Sequence, residues 1–290
     1  MNCSTRPVIF LVVLHLFGSC GGSGLPEVPD DAKGTAEAII HDLAENKPGI
    51  LWSAMPTSYQ TDINELARSA IATIDKDIYD KVAGLLRKAN KILKEKKSYI
   101  LKSDQVGLMA KDLDEVSRNW DMITELVDIL LDSQLGAFET AKKFDGGEFL
   151  ANTGTDLMEK VVAISALTPE DKWMNEILPT LKAITVKEVS SSEKKTVLEF
   201  IDADGQKETH NFVKVEGKWI PENMQIKWAK GIENAKAEIS NESTSLEAKM
   251  GALMFIGLAE GILNQLDDAE SEEEFLKVLE GLSNFGALGG

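Results

Sequence analysis

The sequence predicts an α+β fold: a predominantly helical body with a small antiparallel β-meander at about 184–220. Two observations predict it. Between residues 57 and 168 there is no proline, and apolar residues recur three or four apart, as on one face of a helix. Between residues 184 and 220 the pattern changes to short runs rich in Val, Ile, Thr and Phe, separated by turn-forming residues.

The first 19 residues are typical of a secretory signal peptide. Residues 1–6 are polar and carry one positive charge, residues 7–17 are almost entirely apolar, and the small residues Gly18 and Ser19 follow. The apolar run is about half of the roughly 20 residues that a membrane-spanning helix needs. We therefore expect residues 1–19 to direct export rather than to anchor the chain.

Cys20 follows in the run Leu16-Phe17-Gly18-Ser19-Cys20-Gly21. This run resembles the lipobox of bacterial lipoproteins, in which cleavage falls just before the cysteine and the thiol is acylated. The resemblance implies lipid attachment at Cys20 and an extracytoplasmic or periplasmic protein anchored to a membrane. In such lipoproteins, Asp directly after the cysteine favours retention in the inner membrane. Because Gly21 is at that position, the resemblance implies sorting to the outer membrane. The alternative is an ordinary signal peptide with an incidental cysteine.

The next segments are a tether and a helical region. Residues 20–34 are rich in Gly, Pro and Asp, which predicts a flexible tether. Thr35 is the expected N-cap of the first helix, and a helical region spans residues 35–168. Its expected breaks lie near Asp75-Lys76, Ser103-Asp104 and Gly146-Gly147.

Residues 169–228 are expected to form one helix followed by the meander. Thr168 to Asp171 has the N-cap, proline and acidic residues of a helix start, and Pro179 lies near the expected helix end. The predicted strands are 184–189, 196–201, 208–215 and 218–220.

Residues 229–284 are expected to form helices that pack on the body, and residues 285–290 a frayed tail. Gly257 and Gly261 form a Gly-x-x-x-Gly pattern in a helix expected at 245–266, for which we predict a central core position. Ser271 and Glu274 have the spacing of a capping box that begins the last helix.

Charge and motif content argue against several classes of function. The net charge of −17 disfavours binding to DNA or RNA. The sequence has no His/Cys cluster for zinc, no Gly-rich phosphate loop and no Gly-x-Ser-x-Gly elbow, so no cofactor, metal or catalytic residue is assigned. Asp202-Ala203-Asp204-Gly205 matches part of a calcium loop, but its β-prone flanks favour a hairpin turn.

Three residues are candidates for a ligand pocket: His210, Trp219 and Trp228. The surrounding strand–turn–strand pattern resembles the closing hairpin of cystatin-like and nuclear-transport-factor-like folds over about 170–228. The alternative is that the tryptophans pack the sheet on a helix and that His210 lies on the wetter face of its strand.

A basic run lies in the otherwise acidic chain. It could contact anionic headgroups or a partner, or form a solvated helix face. Its members are Arg87, Lys88, Lys91, Lys94, Lys96 and Lys97.

The run over residues 51–62 resembles uncharacterised secreted lipoproteins of planctomycete-type bacteria, which implies a compartment but no activity. The leading hypothesis is an envelope-tethered lipoprotein with a non-enzymatic binding or scaffolding role, with the membrane and an envelope protein as partners. One alternative is a small-ligand carrier with a pocket between the meander and the helices. A second is a hydrolase that uses unidentified carboxylates.

Overall fold

The structure is a computed structural model that describes residues 24–103, 113–165, 172–241 and 246–286. Most of these residues are helical, and four strands form one antiparallel sheet. The predicted α+β class, a helical body with a small meander, is therefore confirmed. In the described part of the chain, no helix is long and apolar enough to cross a membrane.

The helices are, in chain order, α1 (Ala32–Ala44), α2 (Gly49–Ser53), α3 (Thr57–Thr73), α4 (Lys76–Glu95), α5 (Lys97–Leu101), α6 (Leu113–Asp132), α7 (Phe138–Ala141), α8 (Gly146–Ala151), α9 (Thr153–Ser165), α10 (Lys172–Ala183), α11 (Glu222–Asn241), α12 (Leu246–Asp268) and α13 (Glu272–Gly286). A 3₁₀ turn, Gln134–Gly136, lies between α6 and α7. The strands are β1 (Thr185–Ser191), β2 (Lys195–Ile201), β3 (Lys207–Val215) and β4 (Lys218–Pro221).

The chain divides into two compact units, each built from two stretches of sequence. The first unit comprises Met1–Ile71 and Lys142–Glu242, and the second comprises Ala72–Ala141 and Ser243–Gly290. The first unit therefore contains the sheet, and the second contains α4 to α7 with α12 and α13.

The sheet of the first unit is a meander in the order β1-β2-β3-β4. Strand β2 alternates between exposed or half-buried and buried residues, and its buried side chains are Thr196, Leu198 and Phe200. The turn from β2 to β3 is closed by Asp202, whose Oδ1 accepts hydrogen bonds from the backbone N–H groups of Asp204 and Gln206 at 2.9 and 2.8 Å. This confirms the hairpin turn predicted there.

The core of the first unit lies between the sheet and helix α1. The apolar face of α1 contributes Ile39, Ile40 and Leu43, and the sheet contributes Leu198 and Phe212. Because helix and sheet each bury one apolar face against the other, neither would keep its hydrophobic stabilisation alone.

The second unit has an apolar core that includes Ile92, Leu266 and Phe275, and the members of the basic run of α4 and α5 all have partners within this unit. Arg87 donates to the backbone oxygens of Leu131 and Gly136 at 3.0 and 2.7 Å. The lysines join these helices to α6, to α12 and to the residue that follows α12; the pairs are Lys88–Asp267, Lys91–Asp267, Lys94–Asp128, Lys96–Ala269 oxygen and Lys97–Asp121. The run therefore joins helices to one another, a role that neither interpretation from sequence included.

Several helix starts differ from those predicted. Helix α1 begins at Ala32, because Asp31, not Thr35, is its N-cap and accepts from the Gly34 N–H at 2.7 Å. The Thr35 hydroxyl instead donates to the Pro29 oxygen at 3.0 Å. Helix α11 begins at Glu222, directly after the meander, whereas the C-terminal helices were expected from residue 229 onward.

The break expected at Gly146-Gly147 is the start of α8, capped by Asp145, and Pro179 lies inside α10. The break predicted near Asp75-Lys76 lies between α3 and α4, with Asp75 as the N-cap of α4. The helix start predicted at residues 168–171 lies outside the described residues.

The central core position predicted for α12 is wrong. Met254, Phe255 and Leu258 are 60 to 72% exposed, whereas Ile256 is buried. An uninterrupted apolar run predicts a core helix only if every face of that helix is covered, and one face of α12 is left open by the described residues.

Candidate functional site

An open groove in the first unit lies between the last strand of the meander and the neighbouring helices. Its volume is about 470 Å³. One wall is the extended segment that precedes α1, and the other walls come from α2, the start of α3 and β4. The lining residues are Leu25, Pro26, Glu27, Val28, Trp52, Ser53, Thr57, Gln60 and Lys218.

The wall formed by residues 25–28 is fixed to the body. Val28 packs against the core of the first unit. Two residues further on, the backbone oxygen of Asp30 accepts a hydrogen bond from Trp219 Nε1 at 2.7 Å. The flexible tether predicted for residues 20–34 therefore differs from the structure from Leu25 onward, because this segment gains backbone hydrogen bonds and apolar contacts.

Trp52 and Gln60 form the most buried part of the groove lining. Gln60 Nε2 donates to the backbone oxygens of Trp52 and Met55 at 2.8 and 3.2 Å, which ties α3 to the end of α2. Trp52 is fully buried, and its Nε1 has no hydrogen-bond acceptor among the described residues. A buried donor without an acceptor costs roughly 1–3 kcal/mol, and this N–H carries that cost in the folded chain.

The groove contains one residue of each charge. Lys218 is half-buried at the start of β4 and makes no ion pair with a carboxylate in the described ranges. Glu27 is exposed on the opposite wall. Because Lys218 lies at a concave surface and has no carboxylate within ion-pair distance in the described ranges, its ammonium is available to an anionic ligand.

The first turn of α3 borders the groove and is held by a residue of the meander. Glu216 lies in the turn between β3 and β4 with φ of 49°, and its carboxylate accepts from the Ser58 N–H at 3.0 Å. Hydrogen bonds from Ser58, together with the Thr57 N–H, lower the pKa of Glu216. The first backbone N–H groups of α3 have no acceptor within the helix. Glu216, which is distant in sequence, supplies one for Ser58.

An aromatic stack lies beside this helix start. Tyr59 and Trp228 are stacked with ring centroids 4.0 Å apart and an interplanar angle of 3°. Trp228 Nε1 donates to Asp62 Oδ2 at 2.8 Å, which fixes the indole on α3. Burial, and secondarily the charges of Glu216 and Asp62, raise the pKa of Tyr59.

The three residues predicted for a pocket have separate surroundings. His210 is half-buried on β3, with Phe200 at 5.5 Å between ring centroids and Glu208 Oε2 at 3.3 Å from Nε2. Trp219 is buried in the core, and Trp228 stacks on Tyr59. None of the three lines the groove described above.

The groove residues that the sequence did not indicate include Trp52, Gln60 and Lys218. Lys218 directly precedes Trp219, which was singled out, but alternation on a strand sends neighbouring side chains to opposite faces. The separation of the two could have been expected from this rule. No pattern in the sequence indicates that the indole N–H of Trp52 is buried without an acceptor.

We examined the described residues for side-chain groups that could bind a metal ion or act as a pair of catalytic carboxylates. The described residues contain no group of three or more His, Cys, Asp or Glu side chains able to hold a metal ion. No Asp or Glu side chain within 24–103, 116–164, 178–240 or 249–281 is buried, so these residues give the hydrolase alternative no buried carboxylate pair. Cys20 lies outside the described residues.

Comparisons of the chain with protein-family models, with curated proteins and with solved structures find no match.

Proposed function

We propose that the protein is a non-enzymatic binding protein of the cell envelope that holds a small carboxylate-bearing ligand in the groove between the meander and helices α2 and α3. The observation that carries this proposal is the half-buried ammonium of Lys218, which lines the groove without a carboxylate partner in the described part of the chain.

Lys218, Ser53 and Thr57 fit an anionic oxygen, whereas the carboxylate of Glu27 on another wall would repel one placed beside it. Lys218 supplies a positive charge, and Ser53 and Thr57 supply hydroxyl donors. Leu25, Pro26 and Val28 supply apolar surface for the body of the ligand. A volume of about 470 Å³ lies within the range of small-molecule sites.

The proposal includes a lipid anchor on Cys20 in a membrane, with the outer membrane favoured by Gly21. Five Cα–Cα steps separate Cys20 from Leu25, which spans at most roughly 18 Å for an extended chain. Because Leu25 lines the groove, a lipid on Cys20 would hold the groove close to the bilayer surface.

The binding proposal is tested by titrating the full chain with succinate, followed by two-dimensional NMR of the backbone amides. We expect saturable shifts that cluster at Ser53, Thr57 and Lys218, and no such shifts with the neutral analogue succinamide. Lys218→Met should weaken succinate binding by about tenfold or more, because it removes the charge and keeps the apolar stem.

The matched control is Lys187→Met, since Lys187 is an exposed lysine on strand β1 and does not line the groove. It should leave the titration unchanged. Equal weakening by both substitutions, or shifts spread over all lysines, would show general attraction between charges and would contradict a ligand site in the groove.

A scaffolding role is the second candidate, and the open apolar face of α12 favours it. Monomeric soluble proteins rarely expose a large contiguous apolar patch without using it. Met250, Met254, Phe255 and Leu258 are all at least 60% exposed, so this face is available for a protein partner.

A further inference from the structure

Helix α12 presents a row of residues with heptad spacing on its exposed side. Steps of four and three residues alternate along it, which keeps the row on one line of the helix. Met254 and Leu258, at the centre of the row, are 69% and 60% exposed. We call this row the seam, and its members are Glu247, Gly251, Met254, Leu258, Gly261 and Gln265.

The seam has the same chemical order in both directions. From either end it runs polar, glycine, apolar, apolar, glycine, polar. Its midpoint is Ile256, so an antiparallel pairing about that level brings Met254 opposite Leu258 and Gly251 opposite Gly261. Such self-complementarity is what an isologous two-fold interface requires, because each residue must fit its counterpart in an identical surface.

The glycines leave room for a second helix. A Cβ atom added at Gly251, Gly257 or Gly261 would meet nothing within 4 Å among the described residues. Small residues at a helix surface let two backbones approach closely, so that the flanking large side chains contact the partner helix on both sides. Met250 and Phe255, 63% and 72% exposed, flank the seam in this way.

Charge favours a second copy over a membrane as the occupant. No charged residue occurs from Met250 to Ala259, so two copies with net charge −17 could meet here with little local repulsion. A bilayer surface with anionic lipids would need basic residues around the face. The lysine nearest in sequence, Lys249, is paired with Asp75.

We infer that the protein forms an antiparallel homodimer through the seam of α12, with Met254 of one copy against Leu258 of the other. This interface lies in the second unit and does not depend on the ligand proposed for the groove.

The oligomeric state of the full chain tests the inference, with Cys3→Ser and Cys20→Ser present to exclude disulfides and lipid. Sedimentation velocity without detergent should show a dimer. Met254→Glu or Leu258→Glu should raise the dimer dissociation constant by about tenfold or more, because each places a charge at the centre of the buried face.

Ile226→Glu is the matched control, since Ile226 is 72% exposed on helix α11, outside the seam. It should leave the dimer intact. A monomeric parent chain overturns the inference, and so does equal loss of the dimer in Ile226→Glu. A parent chain that stays monomeric but binds phosphatidylcholine vesicles, and loses that binding in Met254→Glu, assigns the face to a membrane instead.

Cysteine cross-linking tests the direction of pairing. In the same background, Met254→Cys and Leu258→Cys chains are oxidised separately and as a mixture. An antiparallel seam predicts efficient disulfide formation between the two different chains in the mixture and much less within either variant alone. Efficient cross-linking of Met254→Cys with itself would show a parallel pairing and overturn the antiparallel one.

Discussion

Glu216 Oε2 accepts a hydrogen bond from the backbone N–H of Ser58 at 3.0 Å, so the turn between β3 and β4 caps the first turn of helix α3. The two residues are 158 positions apart in sequence. This contact joins the part of the meander that carries Lys218 to the helix that carries Thr57 and Gln60. The contact therefore joins two of the groove's walls, β4 and the start of α3.

Glu216→Gln should make stability less dependent on pH in the acid range. Hydrogen bonds from Ser58 lower the pKa of Glu216 in the folded chain, so this carboxylate stabilises the fold above its ordinary pKa. That contribution is lost as the pH falls through the lowered folded value. The urea midpoint of Glu216→Gln should therefore lie below that of the parent at pH 7 and approach it near pH 3.

Glu193→Gln serves as the control, because Glu193 is exposed in the turn between β1 and β2. Its urea midpoint should follow that of the parent at both pH values. A constant offset between Glu216→Gln and the parent from pH 7 to pH 3 would mean that the charge of Glu216 does not matter to the cap.

Two buried tryptophans give a matched test of the unsatisfied N–H. Trp219 Nε1 donates to the Asp30 oxygen, whereas Trp52 Nε1 has no acceptor in the described residues. Substitution by Phe removes the same atoms from both, so cavity costs should be similar. We expect Trp219→Phe to reduce the unfolding free energy by about 1 kcal/mol more than Trp52→Phe, because only the former loses a hydrogen bond.

Urea unfolding followed by circular dichroism measures this difference, and limited proteolysis adds a local readout. Trp219→Phe should also speed cleavage within residues 25–31, since Asp30 is released from the sheet. The interpretation of Trp52 fails if its substitution is the more costly of the two.

The lipid anchor predicts a defined change on Cys20→Ser. The parent protein, produced in a bacterium with lipoprotein processing, should partition with membranes and carry an acylated N-terminal cysteine. Cys20→Ser should lose both properties, which fractionation and intact-mass spectrometry measure. Cys3→Ser is the control, because Cys3 lies within the predicted signal peptide and should leave the mature mass unchanged. A membrane-bound Cys20→Ser protein would disprove anchoring through this residue.

Local pattern was sufficient to predict the meander. Strand β2 alternates buried and exposed residues, and Asp202 and Gly205 close its turn, so period and turn chemistry agree. The division into two units could not be predicted in this way, since each unit joins stretches that are distant in sequence.

The groove was harder to predict than the strands. Its polar residues come from four separate segments, and only the packing decides that Lys218 lies at this concave surface without an ion-pair partner in the described ranges. The lysines of the basic run differ from Lys218, because packing supplies them with carboxylate partners. Lys91 and Lys94 have the spacing of a solvated face, yet they pair with Asp267 and Asp128 on other helices, and no local signal in the sequence identifies those partners.

Gly136→Ala should be among the most destabilising single substitutions in the second unit. A Cβ atom at Gly136 would lie 1.7 Å from the backbone oxygen of Leu131 and 3.0 Å from Arg87 Nη2. The backbone would have to move, and Arg87 would lose the two carbonyl acceptors that it joins, at Leu131 and Gly136. We expect a loss of about 3 kcal/mol or more in the unfolding free energy.

Gly84→Ala provides the opposite case within the same unit. Gly84 is exposed in helix α4, and an added Cβ would meet nothing within 4 Å in the described structure. Because alanine favours helix over glycine by about 1 kcal/mol, this change should stabilise the protein. Urea unfolding of Gly136→Ala and Gly84→Ala measures the change in unfolding free energy of each variant. If Gly136→Ala unfolded at the parent midpoint, the close packing between the 3₁₀ turn and the end of α6 would be wrong, and with it the anchoring of Arg87.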